Sequence, residues 1–151
     1  MDVEKTIREY LPQVIHLSLA TCIDNKPWVC EVHYVYDAEL NLYFRSKPSR
    51  RHSEEIAKNP NVAGNIVAQH VLDEKVMGVY FEGVTQMLTD VDKDHIAYKL
   101  CCERFGKDVS ILEELKDVGG HGFYKITVKE WSVFDGRGPG PSGKHVLPWK
   151  K

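Results

Sequence analysis

The chain has 151 residues, 42% of them hydrophobic and 28% charged, with a formal net charge of −2. That length gives one domain enough core to fold without covalent staples, and the near-neutral balance excludes binding to nucleic acid or an anionic membrane through a global basic field. No apolar run approaches the roughly 18 residues of a membrane helix, and the opening Met1-Asp2-Val3-Glu4-Lys5-Thr6 lacks a secretory apolar region, so a cytoplasmic location is expected.

Residues 2–11 carry Val3, Ile7 and Leu11 near the helical period and predict a short N-terminal helix. From Val14 to Ile23 the period becomes two, with Ile15, Leu17, Leu19 and Ile23 on one side, which predicts a strand. Asp24-Asn25-Lys26-Pro27 supplies turn chemistry before a second strand, Trp28 to Tyr36. Asp37-Ala38-Glu39 turns the chain into a third strand through Leu40, Leu42 and Phe44. Three sequential strands with short turns make an antiparallel meander.

A helix follows, capped by Ser49 and stopped by Asn59-Pro60. Asn61 to Ala68 and Val76 to Leu88 read as strands four and five, with Gly78 and Gly83 marking a bulge or a close approach in the latter. Asp90 is placed to cap a longer helix running through Phe105, which Gly106 ends, and Ile111 to Lys116 adds a helical turn. A last strand, Phe123 to Phe134, precedes a Gly- and Pro-rich tail, 135–151, expected to be irregular. Six strands and a few short helices predict a mainly β fold: a closed or partly closed antiparallel barrel in a single domain, 1–151. Cys22 and Cys30 are placed to face each other across a hairpin. Cys101 and Cys102 are adjacent, no CxxC or zinc spacing occurs, and all four read as reduced, small hydrophobes.

The chemistry concentrates in Leu42 to His52, where a strand ends and a helix begins. Free backbone N–H groups and the dipole make a helix start attractive to anions. Arg45, Lys47, Arg50 and Arg51, with the His52 imidazole, crowd that place. Cations there oppose the dipole by a few tenths of a kcal/mol each, a cost that an anionic ligand removes. Arg51 offers a planar fork suited to phosphate oxygens, and Ser46 and Ser49 add hydroxyl donors.

Phe44-Arg45-Ser46, then Arg51-His52, Ile56, Asn59-Pro60 and Val62, resemble the flavin-phosphate signature of the pyridoxamine 5′-phosphate oxidase-like family. The likeness extends upstream through Leu17 to Thr21 and Pro27 to Asp37, and downstream to Gly83 and Glu130-Trp131. Arg51-His52 with Val62-Ala63-Gly64 is most similar to an uncharacterised branch of that family. The resemblance implies a six-stranded antiparallel split barrel of the FMN-binding type, a homodimer with the cofactor at the subunit interface, and FMN as the cofactor, with FAD, a deazaflavin or haem as alternatives. It puts Arg45 and Ser46 at the flavin phosphate and ribityl chain, and Arg51 and His52 at the family's basic pair. Glu31, Val32 and His33 fall on the strand that edges the isoalloxazine ring. Trp131 is carried over as an aromatic residue reaching a cofactor, its own or the partner subunit's, or else as a core tryptophan. Apart from the resemblance, the flexible tail is expected to fold over a neighbouring subunit's pocket, with Lys144 as a second anion contact.

The same comparison argues against oxidation of pyridoxamine phosphate itself. Tyr34 stands where that enzyme has Lys, Cys101 to Lys107 replaces its substrate loop, and Arg137-Gly138-Pro139-Gly140 lacks its C-terminal Arg-x-His pair. Gly138 to Lys144 fits G-x-x-x-x-G-K, but His145 replaces the required Ser or Thr and two prolines stiffen the loop, so a P-loop is rejected. What remains is a flavin-dependent oxidoreductase of unassigned substrate and electron donor, or a non-catalytic module that binds or senses the same class of cofactor.

Overall fold

The computed structural model describes residues 1–106, 110–137 and 143–149. The chain opens with helix α1 (Val3–Tyr10), started by Asp2, whose side chain accepts from the Lys5 N–H, and runs into a single 3-10 turn at Leu11–Gln13. Strands β1 (His16–Ile23), β2 (Lys26–Tyr36) and β3 (Leu42–Ser46) follow, then helix α2 (Arg51–Lys58). After β4 (Asn61–Val67) and β5 (Met77–Leu88) come helices α3 (Ile96–Phe105) and α4 (Ser110–Lys116), and strands β6 (Gly122–Asp135) and β7 (Lys144–Pro148) end the chain.

All strand pairings are antiparallel, in the order β3-β2-β1-β4-β5-β6-β7, and a further β3–β6 pairing closes the first six strands into a barrel. The predicted six-stranded barrel is therefore present, with one strand more. The tail expected to be irregular contributes β7, which pairs with Glu130 to Phe134 of β6. A Gly- and Pro-rich composition hid it, because Lys144 to Pro148 alone carries an alternating exposed and half-buried pattern. The fourteen residues of β6 outrun any one neighbour on that edge: Gly122 to Ile126 pair with β3, and Glu130 to Phe134 with β7.

Local chemistry sets the turns. Asp24 and Asn25 both take left-handed φ, 50° and 58°, which makes the two-residue hairpin turn between Ile23 and Lys26 that matches strand twist. This register pairs Cys22 with Pro27 and Cys30 with Leu19, so the two thiols do not oppose each other as expected. In the next turn the Asp37 carboxylate accepts from the Glu39 and Asn41 N–H groups and from the Tyr43 hydroxyl, fixing the entry to β3. Helix α3 starts at Ile96 rather than at Asp90; His95 is its cap, with Nδ1 accepting from the Ala97 N–H. Gly106 ends it at φ 63°, as its position predicts.

The barrel interior holds Leu17, Leu19, Tyr34, Phe44, Phe81 and Trp131 among its buried side chains, and large apolar groups of this kind contribute about 1.5–3 kcal/mol each when fully buried. Helix α1 plugs one end: the Tyr10 hydroxyl donates to the Met77 carbonyl and accepts from the Ala68 N–H. Helix α2 covers the other end through Ile56. Helices α3 and α4 build a second apolar cluster, with Ala97, Tyr98, Cys101 and Ile111 against Val35, Tyr43 and Phe123. Neighbours such as Tyr34 and Val35, or Tyr43 and Phe44, are thus both buried because their strands lie between the barrel core and the helical layer.

Gly83 sits at the register shift between β5 and β6, where a Cβ would lie 2.5 Å from the Thr127 carbonyl oxygen. No flexible side chain is there to yield. Gly83→Ala is expected to cost about 1–3 kcal/mol by forcing the two backbones apart, read as a lower midpoint in urea unfolding.

Candidate functional site

A cleft of about 830 Å³ opens beside the place where β3 gives way to α2. Its floor is the middle of β2, with Glu31, Val32 and His33; its basic end is Arg45 to Lys47 and Arg50 to His52. Helices α3 and α4 supply the opposite wall through Cys101, Phe105 and Ile111, joined by His121 from the loop before β6. The His33 and Phe105 rings stand 5.6 Å apart across this wall. The cleft is therefore apolar and aromatic inside and cationic at one end.

The ladder explains the placement. Arg45 and Ser46 end β3 and are held by pairing to Phe123 and Gly122 of β6. The chain turns tightly, the Arg50 N–H donating to the Lys47 carbonyl, and α2 begins. Ser49 does not cap the helix; Arg50 occupies that position in extended backbone and makes no side-chain cap bond. The first N–H groups of α2 are left without a side-chain cap at a point rich in cations.

Hydrogen bonds sort these residues into engaged and unengaged groups. Ser46 Oγ lies 2.7 Å from His52 Nε2, and Ser53 Oγ donates to Ser46 Oγ at 3.1 Å; all three side chains are buried. Arg45 pairs with Glu114 of α4, whose Oε2 is also 3.4 Å from His121 Nδ1. The Arg45 Nε, buried, has no acceptor among the described residues. Arg51 donates from Nε to Glu55 Oε1 at 2.8 Å and lays its guanidinium 4.2 Å from the centre of the Trp28 ring. Among the described residues, neither Lys47 nor Arg50 has an ion-pair partner for its side chain.

Burial, with Arg50 nearby, pushes the His52 imidazole below its ordinary value of 6.5, against a smaller upward pull from Glu55. His52 is therefore a neutral hydrogen-bonding group at neutral pH, and the positive charge of the cleft comes from arginine and lysine. Burial likewise lowers His121, helped by Arg45. The Cys30 and Cys101 thiols are both pushed up to about 11, chiefly by burial, so neither is a thiolate nucleophile at neutral pH.

Of the nine residues expected at a cofactor, Glu31, Val32, His33, Arg45, Ser46, Arg51 and His52 all line this one cleft. Trp131 does not: it is fully buried in the barrel core, 5.8 Å from the Phe81 ring, and belongs there as a core tryptophan. Lys144 pairs with Phe134 at the other end of β6, away from its own chain's cleft. Tyr34 is also internal, its hydroxyl donating to the Leu11 carbonyl, so the position at which Lys was missing faces the core. Residues 107–109 and 138–142, which include parts of the substrate-loop and P-loop comparisons, lie outside the described residues.

Phe105, Ile111, Glu114 and His121 carried no sequence signal, because only the fold brings α3 and α4 over β2 and β3. Glu55 was legible in one respect, standing four residues after Arg51 where helical side chains meet. Trp28 needed the hairpin register before it could be placed beside Arg51.

The closed six-stranded barrel with a cleft at this strand-to-helix junction defines a split barrel. Solved structures share it at low identity: a FAD-binding protein from Mesorhizobium loti (TM-score 0.62, 23% identity, 86% of this chain and 90% of that one) and the heme storage protein HutZ from Vibrio cholerae (TM-score 0.67, 20% identity, 89% and 95%). The sequence pattern of the pyridoxamine 5′-phosphate oxidase family matches residues 3–135, and the chain belongs to that family. A UPF0306 protein of Photorhabdus laumondii is 30% identical to this chain over 106 residues, which cover 70% of this chain and 73% of the relative.

The depressed His52 value has a consequence for stability. The unfolded chain takes up a proton near pH 6.5 that the folded chain refuses, so stability is full above 6.5 and is lost as pH falls from there through the folded-state value. Urea unfolding at about pH 7.5 and about pH 5 should show a loss in wild type that is smaller in His52→Gln.

Proposed function

We propose that the cleft binds a flavin nucleotide, FMN first among them, and that the protein is a flavin-dependent oxidoreductase whose substrate does not require the pyridoxamine-phosphate residues. The observation that carries this reading is a set of cationic donors with no protein partner among the described residues at one end of an aromatic cleft: Lys47, Arg50 and the outer edge of Arg51. An acceptor-rich dianion answers all of them, and a phosphate ester is the common one. The volume, about 830 Å³, falls within the range of about 300–1,000 Å³ that small-molecule sites occupy.

In this reading Arg51, Lys47 and Arg50 hold the phosphate, and Ser46, kept in place by His52 and Ser53, presents its hydroxyl to the sugar-alcohol chain. The backbone of Glu31 to His33 edges the ring, and Phe105 with Ile111 keeps water from its face. A bound flavin supplies the electron-transfer chemistry, while the protein sets orientation and access. The reading includes a homodimer, supported by Trp28, Val29, Tyr80, Val84 and Met87, large apolar side chains left substantially exposed on the strands.

A second reading has its own observation. His33 and His121 put two imidazoles on the cleft wall, and the HutZ neighbour is a heme protein, so a non-catalytic heme module fits the same space. The visible spectrum of the freshly purified protein separates the two, with flavin bands expected and a Soret band supporting the alternative.

Arg51→Ala should weaken FMN about 10- to 100-fold, since a charge-assisted hydrogen-bonding group is worth about 1.5–3 kcal/mol, and should also lower the urea midpoint because it strips a partner from the buried Glu55 carboxylate. Fluorescence titration measures it. Unchanged FMN affinity in this variant would remove the support for a phosphate at the β3–α2 junction.

A further inference from the structure

Glu55 is only 3% exposed, a setting in which an ionised carboxylate is costly unless its oxygens are satisfied. Both are. Thr21 Oγ1 on β1 donates to Oε2 at 2.5 Å, and Arg51 Nε donates to Oε1 at 2.8 Å. These bonds, the one from Thr21 foremost, hold the carboxyl below its usual range, so it is charged at neutral pH.

The ordinary explanation is a helix-surface ion pair at four-residue spacing. The Lys5–Glu9 pair of α1 shows what that looks like: it is 70% and 67% exposed and lies at 3.9 Å, a geometry worth little. The Arg51–Glu55 pair differs on both counts that matter. Its acid is buried and is tied through Thr21 to a strand, not merely to its own helix. The guanidinium is also clamped from a second direction by the Trp28 ring. With Nε taken and one face covered, the two Nη groups have no partner among the described residues, and they belong to a side chain that lines the cleft.

We infer that Glu55 and Thr21 are positioning residues that orient the Arg51 fork, so that its Nη edge meets the terminal phosphate of the ligand and the site selects phosphorylated over unphosphorylated ring compounds. This rests on the flavin-phosphate reading above. The guanidinium keeps its five donors divided: one spent on the protein, the outer pair preorganised for two parallel bonds to phosphate oxygens. Holding a flexible arginine in that pose before binding removes part of the ordering cost that binding otherwise carries.

The test compares wild type, Glu55→Gln and Thr21→Val, each with FMN and with riboflavin, which lacks the phosphate. It also follows the Arg51 Nε–H resonance by NMR without ligand. Wild type should prefer FMN over riboflavin and show a sharp, slowly exchanging Arg51 Nε–H. Glu55→Gln should lose that sharp resonance and about tenfold of the FMN preference, with riboflavin affinity unchanged. Thr21→Val, which keeps the carboxylate and leaves one oxygen unbonded, should fall between the two and serves where the first variant is too unstable to measure. Equal losses for both flavins would show a merely structural role and overturn the inference, as would a wild-type Nε–H in fast exchange. Wild type that takes up neither flavin overturns the cofactor reading and this inference together. Wild type that prefers FMN, beside variants that keep the preference, overturns the inference alone.

Discussion

Closure of the barrel through the β3–β6 ladder is the interaction on which the cleft depends. β3 is only five residues long, yet it is held on both edges, by Tyr34 to Tyr36 of β2 and by Gly122 to Ile126 of β6. A strand fixed on both sides cannot slip without turning its side chains to the wrong face. Its last two residues, Arg45 and Ser46, are therefore delivered to one place whatever their own preference. Four cations within seven residues repel one another, and they stay together because apolar pairing upstream, with Leu42, Tyr43 and Phe44 all buried, outweighs that repulsion.

Two carboxylates temper the charge in different ways. Glu114 reaches Arg45 from α4 and is itself half exposed, so the pair sits at the boundary between water and the helical layer. Glu55 is enclosed and bonded at both oxygens. One acid thus belongs to the wall of the cleft and the other to the frame beneath it. Lys47 and Arg50 have no such partner among the described residues, which gives the mouth of the cleft its net positive character.

The parts of this arrangement that were legible from sequence are those that short stretches of chain determine. Alternation in Leu17 and Leu19, the Asp24-Asn25 turn, Gly106 at the end of α3 and the cations from Arg45 to Arg51 all act through near neighbours. The rest depends on distant pairing. Trp131 reads equally well as a cofactor contact or as core until its strand is registered against β5 and its ring meets Phe81. Asp90 is a good cap on chemical grounds, but α3 begins six residues later, where Ala97 enters the second apolar cluster, so packing decided the boundary. His52 falls at the family's basic pair beside Arg51, and burial next to Ser46 makes it a neutral hydrogen-bonding partner there. The five-residue strand Lys144–Pro148 is too short to announce itself within a run of glycine and proline.

That short strand also governs what the molecule presents to its surroundings. Between Glu130 and Phe134, β6 has β5 on one side and, among the described residues, only β7 on the other. Were β7 peeled away, a stretch of bare amides and carbonyls would open along a side of the barrel that already carries the half-exposed Phe134. Such a stretch is a template for any extended chain that drifts past; β7 replaces it with an outer edge of only five residues, opening on Lys144 and closing on Pro148, which has no N–H to offer.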